Sequence, residues 1–451
     1  MPDLLSDVAQ RAGRYLRGLG ERTVAPAQQA LDQLIALDEP LPECPETPES
    51  VIELLDRIGS PATVATAGPR FFGFVQGGAL PAALAANWLA GAWDQNAVLY
   101  ASSPVASRLE EITQRWLVQL FDLPRDCGAA FVSGATMANL TCLAAARHAV
   151  LGRLGWNVEA DGLFGAPPVT VVMSAETHPS VNKALGLLGF GRERVIRVPV
   201  DGQGRIRPDA LPALPRGAIV CVQAGNVNTG SVDPVAKICE IARESGAWVH
   251  VDGAFGLWAK ASPGLKPLAA GVEEADSWAT DTHKWLNAPY DSGLALVRDS
   301  DALGGAMSLT AAYIPKGIGR DPGQFTPELS RRARGVEIWA ALKSLGKSGL
   351  AEMIERTCRH ARRFAEGLRS AGCEILNEVV LNQVLVSFGD AETTLAVIDR
   401  IQRDGTCWCG GTSWQGRAAM RISVACWATT DEDVERSLDA MIRAQRGVTA
   451  S

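Results

Sequence analysis

Short apolar runs alternate with longer amphipathic stretches through the central part of the chain. The runs hold β-branched and other apolar side chains, which is typical of buried strands. The stretches between them carry the periodicity of helices. Strands are predicted at residues 131–132, 169–173, 219–223, 247–252 and 294–297, and helices at residues 81–93, 135–149, 234–245, 336–345 and 350–371. This alternation predicts an α/β fold with a mostly parallel sheet, which places functional side chains at the carboxyl ends of its strands.

The two ends of the chain have different patterns. Residues 4–58 have helical periodicity, interrupted by a loop rich in Pro and Glu at residues 39–49, so we expect a helical arm that does not fold alone. Towards the other end, apolar runs at residues 378–388 and 420–424 flank a helical stretch at residues 395–404, which predicts a small α+β unit. The predicted division is an N-terminal helical arm, a large domain and a small C-terminal domain, at residues 1–68, 69–345 and 346–451.

The segment DTHKWLN at residues 281–287 holds the strongest chemical signal in the chain. Lys284 stands between His283 and Trp285 in a polar turn just before the apolar run at residues 294–297, which is a poor place for a solvated surface lysine. A lysine amine that is shielded from water can lose its proton and attack a carbonyl to form a Schiff base. Pyridoxal phosphate (PLP) is the cofactor usually held in this way, and it also needs a carboxylate at its pyridine nitrogen.

Other groups that PLP requires have candidates upstream of this lysine. Asp252 ends an apolar run and is followed by small side chains, among them Ala254, that leave room for a flat ring. A turn at the start of a predicted helix offers backbone N–H groups and hydroxyls to a phosphate, and the helix dipole favours an anion there. An ordinary helix cap is the alternative reading of this turn, which comprises Ser133, Gly134, Ala135 and Thr136.

Two motifs in this order, VDGA at residues 251–254 and THKW at residues 282–285, resemble those of the fold-type-I PLP enzymes. Within that class the chain is most similar to the group II amino-acid decarboxylases, which include the aromatic-amino-acid and glutamate decarboxylases. The similarity extends over about residues 70–443. It implies decarboxylation of an L-α-amino acid by a homodimer, in which the N-terminal arm packs on the second subunit and the active site lies at the subunit interface.

The resemblance also assigns roles to individual residues. Lys284 would carry PLP, Asp252 would face its pyridine nitrogen, and His178 would stack on its ring near the substrate carboxylate. Without the resemblance, a single histidine between a strand and a helix is more simply a structural group. The cofactor contacts that the resemblance implies are Gly134, Ala135, Thr136, His178, Asn226, Asp252, Ala254, His283 and Lys284.

Substrate-binding residues are implied by the same resemblance. The segment at residues 94–104 matches the loop that surrounds the substrate side chain, although taken alone it reads as a helix connector. Asn96 stands where glutamate decarboxylases have an Asn, and with Val98 it favours a small, polar or acidic substrate side chain over an aromatic one. Arg421 interrupts an apolar strand, which is costly unless the guanidinium is paired. It matches the Arg that binds the substrate α-carboxylate in glutamate decarboxylases, a task that suits a bidentate guanidinium.

Some positions depart from the family pattern. Relatives commonly have Thr where Asn226 stands, so we expect its amide to replace a hydroxyl contact to the cofactor. Relatives often have Asn near the phosphate where this chain has Asp281. Because a carboxylate cannot donate a hydrogen bond, we expect Asp281 to turn elsewhere. The Tyr of the family's mobile loop, which is thought to protonate the substrate carbon, aligns here with Pro322 or Gly323.

The missing loop Tyr leaves other reactions at the substrate Cα open. They are carbon–carbon cleavage, as in the sphingosine-phosphate lyases, and transamination or another Cα chemistry. A protein that binds PLP without catalysing a reaction is disfavoured, because Lys284, Asp252 and His178 are all present.

Composition narrows the partners of the 451-residue chain. It has 43 Lys+Arg against 50 Asp+Glu, a formal net charge of −7, which offers no broad attraction to nucleic acid or anionic lipid. No stretch approaches the ~20 apolar residues of a membrane span. The 10 Cys, without a secretory leader, favour reduced thiols and a cytoplasmic protein. Cys407 and Cys409 lack a second Cys/His pair, so we expect no metal site.

Overall fold

Helices and strands alternate along most of the chain in the computed structural model, which describes residues 2–309 and 319–449. The α-helices α1 to α13 are Pro2–Gly18, Gln28–Asp32, Pro48–Ala62, Pro81–Trp93, Pro104–Leu120, Ala135–Arg153, Val158–Asp161, Pro179–Leu187, Val235–Ser245, Ser300–Met307, Gly335–Ser370, Ala391–Asp404 and Asp431–Thr449. The strands β1 to β11 are Gly128–Val132, Val171–Ser174, Ile196–Val198, Ile219–Gln223, Trp248–Asp252, Ser277–Asp281, Gly293–Val297, Glu374–Ile375, Gln383–Ser387, Gly410–Trp414 and Arg417–Ser423. Short 3-10 helices are Gln33–Leu37, Pro208–Ala210, Gly256–Ala261, Lys266–Ala269, Val272–Glu274 and Pro322–Gln324.

The chain divides into two compact units. The larger unit comprises Gly77–Arg362 and Asn377–Gln383, and the smaller unit comprises Met1–Gln76, Arg363–Leu376 and Val384–Ser451. Each unit is therefore built from segments that are distant in sequence. The division after residues 68 and 345 that the sequence suggested stays a prediction.

The larger unit is organised around a seven-stranded sheet of order β1-β7-β6-β5-β4-β2-β3. Strands β3, β2, β4, β5 and β6 pair in parallel, whereas β7 runs antiparallel to both β6 and β1. The mostly parallel sheet predicted from the sequence is thus confirmed. In register, Gln223 pairs with Asp252 and Asp252 with Ala279, so β4, β5 and β6 end at one edge of the sheet.

The strands of this sheet are buried along their length because helices cover them. Residues of β1, β2, β4, β5, β6 and β7 are buried at every position, which matches their continuous apolar sequences. Helix α6 packs on the sheet through small side chains such as Ala138, Cys142 and Ala145, which are 0% exposed. Small residues let the helix backbone lie close to the strands, and this brings the start of α6 to the edge where the strands end.

The smaller unit combines the N-terminal helices with a four-stranded sheet of order β10-β11-β9-β8, in which β10 pairs antiparallel with β11 and β8 antiparallel with β9. Arg70 joins these parts, because its guanidinium pairs with Asp433 at 3.1 Å and donates to the carbonyl oxygens of Thr406 and Gly20, both at 2.7 Å. The small α+β unit that the sequence predicted is present, with α12 and α13 packed together. Within the described ranges, no helix combines the length and apolar character needed to cross a bilayer.

Candidate active site

The turn that carries Lys284 is closed by hydrogen bonds across its ends. The backbone N–H groups of Thr282 and His283 both donate to the carbonyl oxygen of Ser292, at 3.1 and 3.2 Å. The hydroxyls of Thr282 and Ser292 are 2.6 Å apart. Because β6 enters this turn and antiparallel β7 leaves it, the turn is fixed at the edge of the sheet.

Contacts of Trp285, Asn287 and Gly77 hold the backbone around Lys284 in place. Trp285 is fully buried, and its indole N–H donates to the hydroxyl of Thr357 at 2.9 Å. Asn287 has a φ of 58° and donates from its amide to the carbonyl oxygen of Trp285 at 2.8 Å. Gly77 lies so close that a Cβ there would overlap the carbonyl oxygen of Lys284. These contacts fix the position of Lys284 while its side chain keeps 19% of its surface exposed.

A cavity of about 350 Å³ opens beside this lysine. Its size falls in the range of about 300–1,000 Å³ that is usual for small-molecule sites. Its lining brings together residues from the start of α6, the start of α8, the segment after β5 and the turn after β6: Ser133, Gly134, Ala135, Thr136, Met137, His178, Ser180, Ala254, Asp281, His283 and Lys284.

The start of α6 forms one wall of the cavity. Gly134 caps this helix, and a Cβ there would lie 3.0 Å from the His283 ring and 3.1 Å from Asp281 Oδ1. Glycine therefore keeps the backbone N–H groups of the first turn accessible. Unpaired N–H groups at a helix start attract anions, so this wall fits the phosphate site predicted from the sequence.

Asp281 does not turn away from this wall, contrary to our expectation. Its Oδ1 accepts from the backbone N–H of Ala135 at 2.5 Å, and its Oδ2 lies 2.9 Å from Lys284 Nζ. Sheet order explains the placement, because Asp281, Gly293 and Val132 lie side by side on β6, β7 and β1. Gly293 has no side chain to separate the start of α6 from β6, and a helix N-terminus favours a carboxylate.

His283 is held in one tautomer between the turn and the carboxylate. The backbone N–H of Ser292 donates to His283 Nδ1 at 3.2 Å, so the ring proton is on Nε2, which lies 3.3 Å from Asp281 Oδ1. Burial lowers the pKa of His283 below its ordinary value, which favours this neutral form. Tyr290 stacks on the ring with centroids 4.2 Å apart.

His178 is fixed in a similar way at the start of α8. The backbone N–H of Ser180 donates to His178 Nδ1 at 3.3 Å, and the Ser180 hydroxyl lies 2.8 Å from the same nitrogen. Since an amide N–H can only donate, Nδ1 is the acceptor and the neutral ring carries its proton on Nε2. The imidazole therefore stands in the cavity wall with a defined tautomer.

Asp252 is held by a buried network that begins on α6. Its Oδ1 accepts from the N–H of Ala254 at 3.1 Å, and its Oδ2 accepts from the Asn139 amide at 3.3 Å. Asn139 is 0% exposed, also donates to the Ser180 hydroxyl at 3.2 Å, and accepts from His250 Nε2 at 2.8 Å. Burial lowers the pKa of His250 to about 3, so its ring is neutral at ordinary pH.

The far end of this network is closed by β6. His250 Nδ1 must be an acceptor, because Nε2 carries the proton, and the Ser277 hydroxyl lies 2.9 Å from it. Ser277 in turn accepts from the indole N–H of Trp248 at 2.9 Å. Each polar atom has a partner of the correct kind, and the chain of contacts fixes the Asp252 carboxylate at the end of β5.

Asn226 follows β4 at the same edge of the sheet. Its side-chain oxygen accepts from the backbone N–H groups of Asn228 and Thr229, at 2.9 and 3.1 Å. Its Nδ2 is buried and finds no acceptor among the described residues. A buried donor without an acceptor is costly, and this matches the expectation that the Asn226 amide contacts a cofactor.

Two of the predicted substrate residues, Asn96 and Val98, belong to the larger unit and are not among the residues that line the cavity. Asn96 is exposed, and its Oδ1 accepts from the N–H of Arg331 at 3.1 Å. The carbonyl oxygen of Val98 accepts from the N–H of Gly323 at 2.8 Å. Arg421 belongs to the smaller unit, where it is half-buried on β11 and burial lowers its pKa. Their roles in substrate binding stay predictions.

The position of the missing loop Tyr is packed against the predicted substrate loop. A Cβ at Gly323 would lie 2.6 Å from Val98 Cγ2, so this arrangement has no room for a larger side chain. Pro322 is buried beside it. Residues 310–318, in the same segment as the family's mobile loop, lie outside the described residues.

Sequence reasoning missed Asn139, Ser180 and His250. A signal for Asn139 was available, because a buried Asn in an alanine-rich helix must find partners. His250 is two residues before Asp252 and so shares its face of the strand. Ser180 gave no signal beyond its proximity to His178. The three come together only through the order of the strands.

The described residues fit PLP on several counts. The cavity has the volume of a small-molecule site, Lys284 lines it, and the start of α6 can receive a phosphate. Asp252 and Asn226 are not among the residues that line the cavity. The Asp252 carboxylate accepts from the N–H of Ala254, which does line it, and Asn226 Nδ2 is a buried donor without an acceptor among the described residues. Asp281 is the departure, because it places a second anion beside the phosphate wall.

Known proteins resemble the chain in both sequence and fold. The family model described as the pyridoxal-dependent decarboxylase conserved domain matches residues 31–389. The aromatic-L-amino-acid decarboxylase of Bacillus atrophaeus is 29% identical over 426 residues, which cover 88% of this chain and 86% of that protein. The acidic amino acid decarboxylase GADL1 of Mus musculus is 30% identical over 331 residues, 70% of this chain and 59% of that protein.

A solved structure gives the same fold. The crystal structure of Oryza sativa TDC with PLP and tryptamine has a TM-score of 0.91 and 23% identity, and the match covers 99% of this chain and 97% of that chain. The family match spans most of the chain. The chain therefore belongs to the pyridoxal-dependent decarboxylase family and is a PLP-dependent amino-acid decarboxylase.

Proposed function

We propose that the decarboxylase holds PLP in the cavity beside Lys284, with Lys284 Nζ bonded to the cofactor and Asp252 at its pyridine nitrogen. The observation that carries this proposal is the cavity itself, which places a fixed lysine opposite a helix start. Ser133, Gly134, Ala135 and Thr136 would receive the phosphate, His178 and Ala254 would face the ring, and His283 and Asn226 would complete the contacts.

PLP, when bound, accepts the electron pair that remains at Cα when carbon dioxide leaves. The protein supplies the surrounding charges and protons. Asp252, tied to Asn139 and Ala254, keeps a negative charge at one fixed place. The lysine amine exchanges protons with substrate and product, since it must be neutral to bond to a carbonyl and is protonated when paired with Asp281. His178, with its proton on Nε2, is a donor for a substrate carboxylate.

We assign the substrate to amino acids with a small, polar or acidic side chain. Asn96 is a polar, exposed group, and Val98 is small. Arg421 is a partly desolvated guanidinium, which suits the α-carboxylate because charge-assisted hydrogen bonds strengthen away from water. The relatives include both aromatic and acidic amino acid decarboxylases, so the family leaves this choice open.

The cofactor assignment is tested by borohydride reduction of the PLP-loaded protein, followed by peptide mapping. The label should be on Lys284, and Lys284→Met should lose the absorbance of bound cofactor. Lys266→Met is the matched control, because this lysine is exposed and pairs with Asp122. A label on another lysine would contradict the assignment.

The substrate assignment is tested with a panel of amino acids, scored for carbon dioxide and for the organic product. A polar or acidic substrate that yields an amine supports the proposal. A keto acid, or a cleaved side chain with the carboxylate retained, would support the alternative reactions at Cα instead. Arg421→Ala should raise KM about ten- to over a hundredfold, since a charge-assisted contact is worth ~1.5–3 kcal/mol. Arg417→Ala on the same strand is the control, because Arg417 is exposed and pairs with Glu374.

We propose that the protein acts as a homodimer with the N-terminal arm at the interface. Several apolar side chains of the arm are exposed, including Ile35 at 74% and Leu41 at 92%. Such exposure in one region is typical of an interaction surface. Ile35→Glu should weaken the dimer in sedimentation equilibrium, whereas Leu268→Glu, at an exposed apolar site of the larger unit, should not. An active wild-type monomer at assay concentration would refute the proposal.

We also assign the protein to the cytoplasm. All 10 Cys are free thiols and nine of them are buried, which suits a reducing compartment. Fractionation of cells that express the tagged protein tests this assignment, and recovery from an oxidising compartment would contradict it.

A further inference from the structure

We propose that Asp281 makes cofactor binding depend on one proton, which its carboxylate shares with the phosphate of PLP. This inference rests on the proposed function, because it places the phosphate at the start of α6. It concerns a residue that the family assignment leaves without a role.

The Asp281 carboxylate lies at the start of α6. It accepts the N–H of Ala135 at 2.5 Å, at the start of a 19-residue helix, and only 3% of its side chain is exposed. This is the place where an incoming anion finds its donors. A phosphate at the same helix turn must therefore lie against a carboxylate that water does not screen.

Lys284 balances the negative charge of Asp281. The lysine Nζ lies 2.9 Å from Asp281 Oδ2, and the other side-chain contacts of Asp281 are the N–H of Ala135 and Nε2 of His283. Bonding of Nζ to the cofactor would end this ammonium contact to Asp281. Residues 133–137 contain no basic side chain that could replace it.

The other ionisable groups around Asp281 do not replace the ammonium either. His178 and His283 line the same cavity, but burial lowers the pKa of His283 and thereby favours its neutral form. Asp252, at the end of neighbouring β5, adds negative charge. A phosphate ester loses its second proton near pH 6, so it is a dianion at pH 8. The dianion and the carboxylate repel each other unless one proton lies between them.

The step involves only a proton. On binding of the PLP dianion, the Asp281 carboxylate would take one proton from solvent and would share it with the phosphate. At high pH this proton is scarce and binding weakens. Replacing Asp281 with Asn removes the negative charge and supplies an N–H donor, so the proton is no longer needed.

Equilibrium dissociation constants of PLP and of pyridoxal, which lacks the phosphate, test the inference between pH 6 and 9. The measured quantity is the change with pH of the ratio of the PLP constant to the pyridoxal constant, because both ligands bond to Lys284 and only PLP carries the phosphate. In the wild type this ratio should rise with pH by up to tenfold per unit. In Asp281→Asn it should be lower at pH 8 and independent of pH. A wild-type ratio that does not change with pH, or an equal slope in the variant, would overturn the proposal.

A second measurement needs no variant. The ³¹P resonance of bound PLP should keep the position of a protonated phosphate to higher pH than free PLP does, and a dianion resonance at pH 7 would overturn the proposal. Failure of the proposed function is distinguishable, because Lys284→Met would then bind PLP as tightly as the wild type. If Lys284 carries PLP and the ratio is still independent of pH, only the role of Asp281 is refuted.

Discussion

The buried amide of Asn139 is predicted to contribute to both folding stability and cofactor binding. Replacing it with leucine, which has the same number and branching of non-hydrogen side-chain atoms, removes its contacts to Asp252, Ser180 and His250. His250 Nε2 then has a buried proton without its Asn139 acceptor. Of the two hydrogen bonds described for Asp252, only the one from the N–H of Ala254 remains. The network loses its central member while the helix keeps an apolar side chain that packs.

The magnitude follows from the groups left unpaired. Each buried polar group without a partner costs about 1–3 kcal/mol. With His250 and Ser180 affected and Asp252 partly so, Asn139→Leu should lower the free energy of unfolding of the cofactor-free protein by about 2–5 kcal/mol. Adding His250→Phe should recover part of this loss, because removing both members of a buried pair costs less than removing one. PLP should bind about tenfold more weakly to the single variant, since the Asp252 carboxylate is less firmly oriented.

Urea unfolding at a fixed protein concentration measures the first effect, and a PLP titration measures the second. Thr141→Val is the matched control, because Thr141 is buried on the same helix but donates only to the carbonyl oxygen of Met137, at 2.8 Å. Its free energy of unfolding should change by less than about 1 kcal/mol. The Asn139 amide does not have this role if Asn139→Leu is no less stable than this control, or if the double variant loses the full sum of the two single losses.

Further predictions concern backbone contact, protonation and packing at the site. Gly77→Ala should reduce stability by at least about 1–3 kcal/mol, because its Cβ overlaps the carbonyl oxygen of Lys284, whereas Gly91→Ala, with nothing within 4 Å, should be neutral or stabilising in urea unfolding. Burial lowers the pKa of His250 from 6.5 to about 3. Between about pH 3 and pH 6.5 the unfolded chain therefore binds a proton at His250 that the folded chain does not bind. The free energy of unfolding should fall as the pH decreases below about 6.5. The loss of unfolding free energy due to His250 approaches ~1.4 kcal/mol per pH unit. His250→Gln, which keeps a hydrogen-bond donor, should abolish this pH dependence in unfolding curves measured at pH 4.5 to 7.5. Trp285→Phe should cost about 1–2 kcal/mol in the same assay, because a buried threonine hydroxyl loses its indole donor.

Much of the site could be predicted from contiguous motifs. Lys284 lies in a turn between two strands, Asp252 ends a strand, and Gly134 starts a helix, as their sequences indicated. The carboxyl ends of parallel strands lie at one edge of a sheet. These motifs could therefore be predicted to lie at that edge without knowledge of the strand order. The strand of Arg421 could also be predicted, because an apolar run with one polar residue is recognisable from its own sequence.

What the sequence could not show depends on strand order. Asp281 was expected to turn away from the phosphate wall, but it binds the N–H of Ala135 because β6, β7 and β1 are neighbours and Gly293 lies between them. Nothing in a single motif indicates that a chain segment 146 residues earlier will supply a donor. The Asn139 network was missed for the same reason, since its partners come from β5 and the start of α8.

The departure at Gly323 has a consequence for the proton that returns to Cα after carbon dioxide leaves. Residue 323 is a glycine, and its close approach to Val98 leaves no room for the family's tyrosine at this position. The proton donor must therefore be another group. Among the described residues that line the cavity, the groups with an exchangeable proton on a basic nitrogen are Lys284, His178 and His283. The His283 proton is directed to Asp281, and Asp281 itself receives the N–H of Ala135. Among these nitrogen groups we therefore expect Lys284 or His178 to deliver the proton. Because Asp281 is the ionic partner of Lys284, with Nζ 2.9 Å from Oδ2, we expect its charge to affect how readily the lysine gives up a proton.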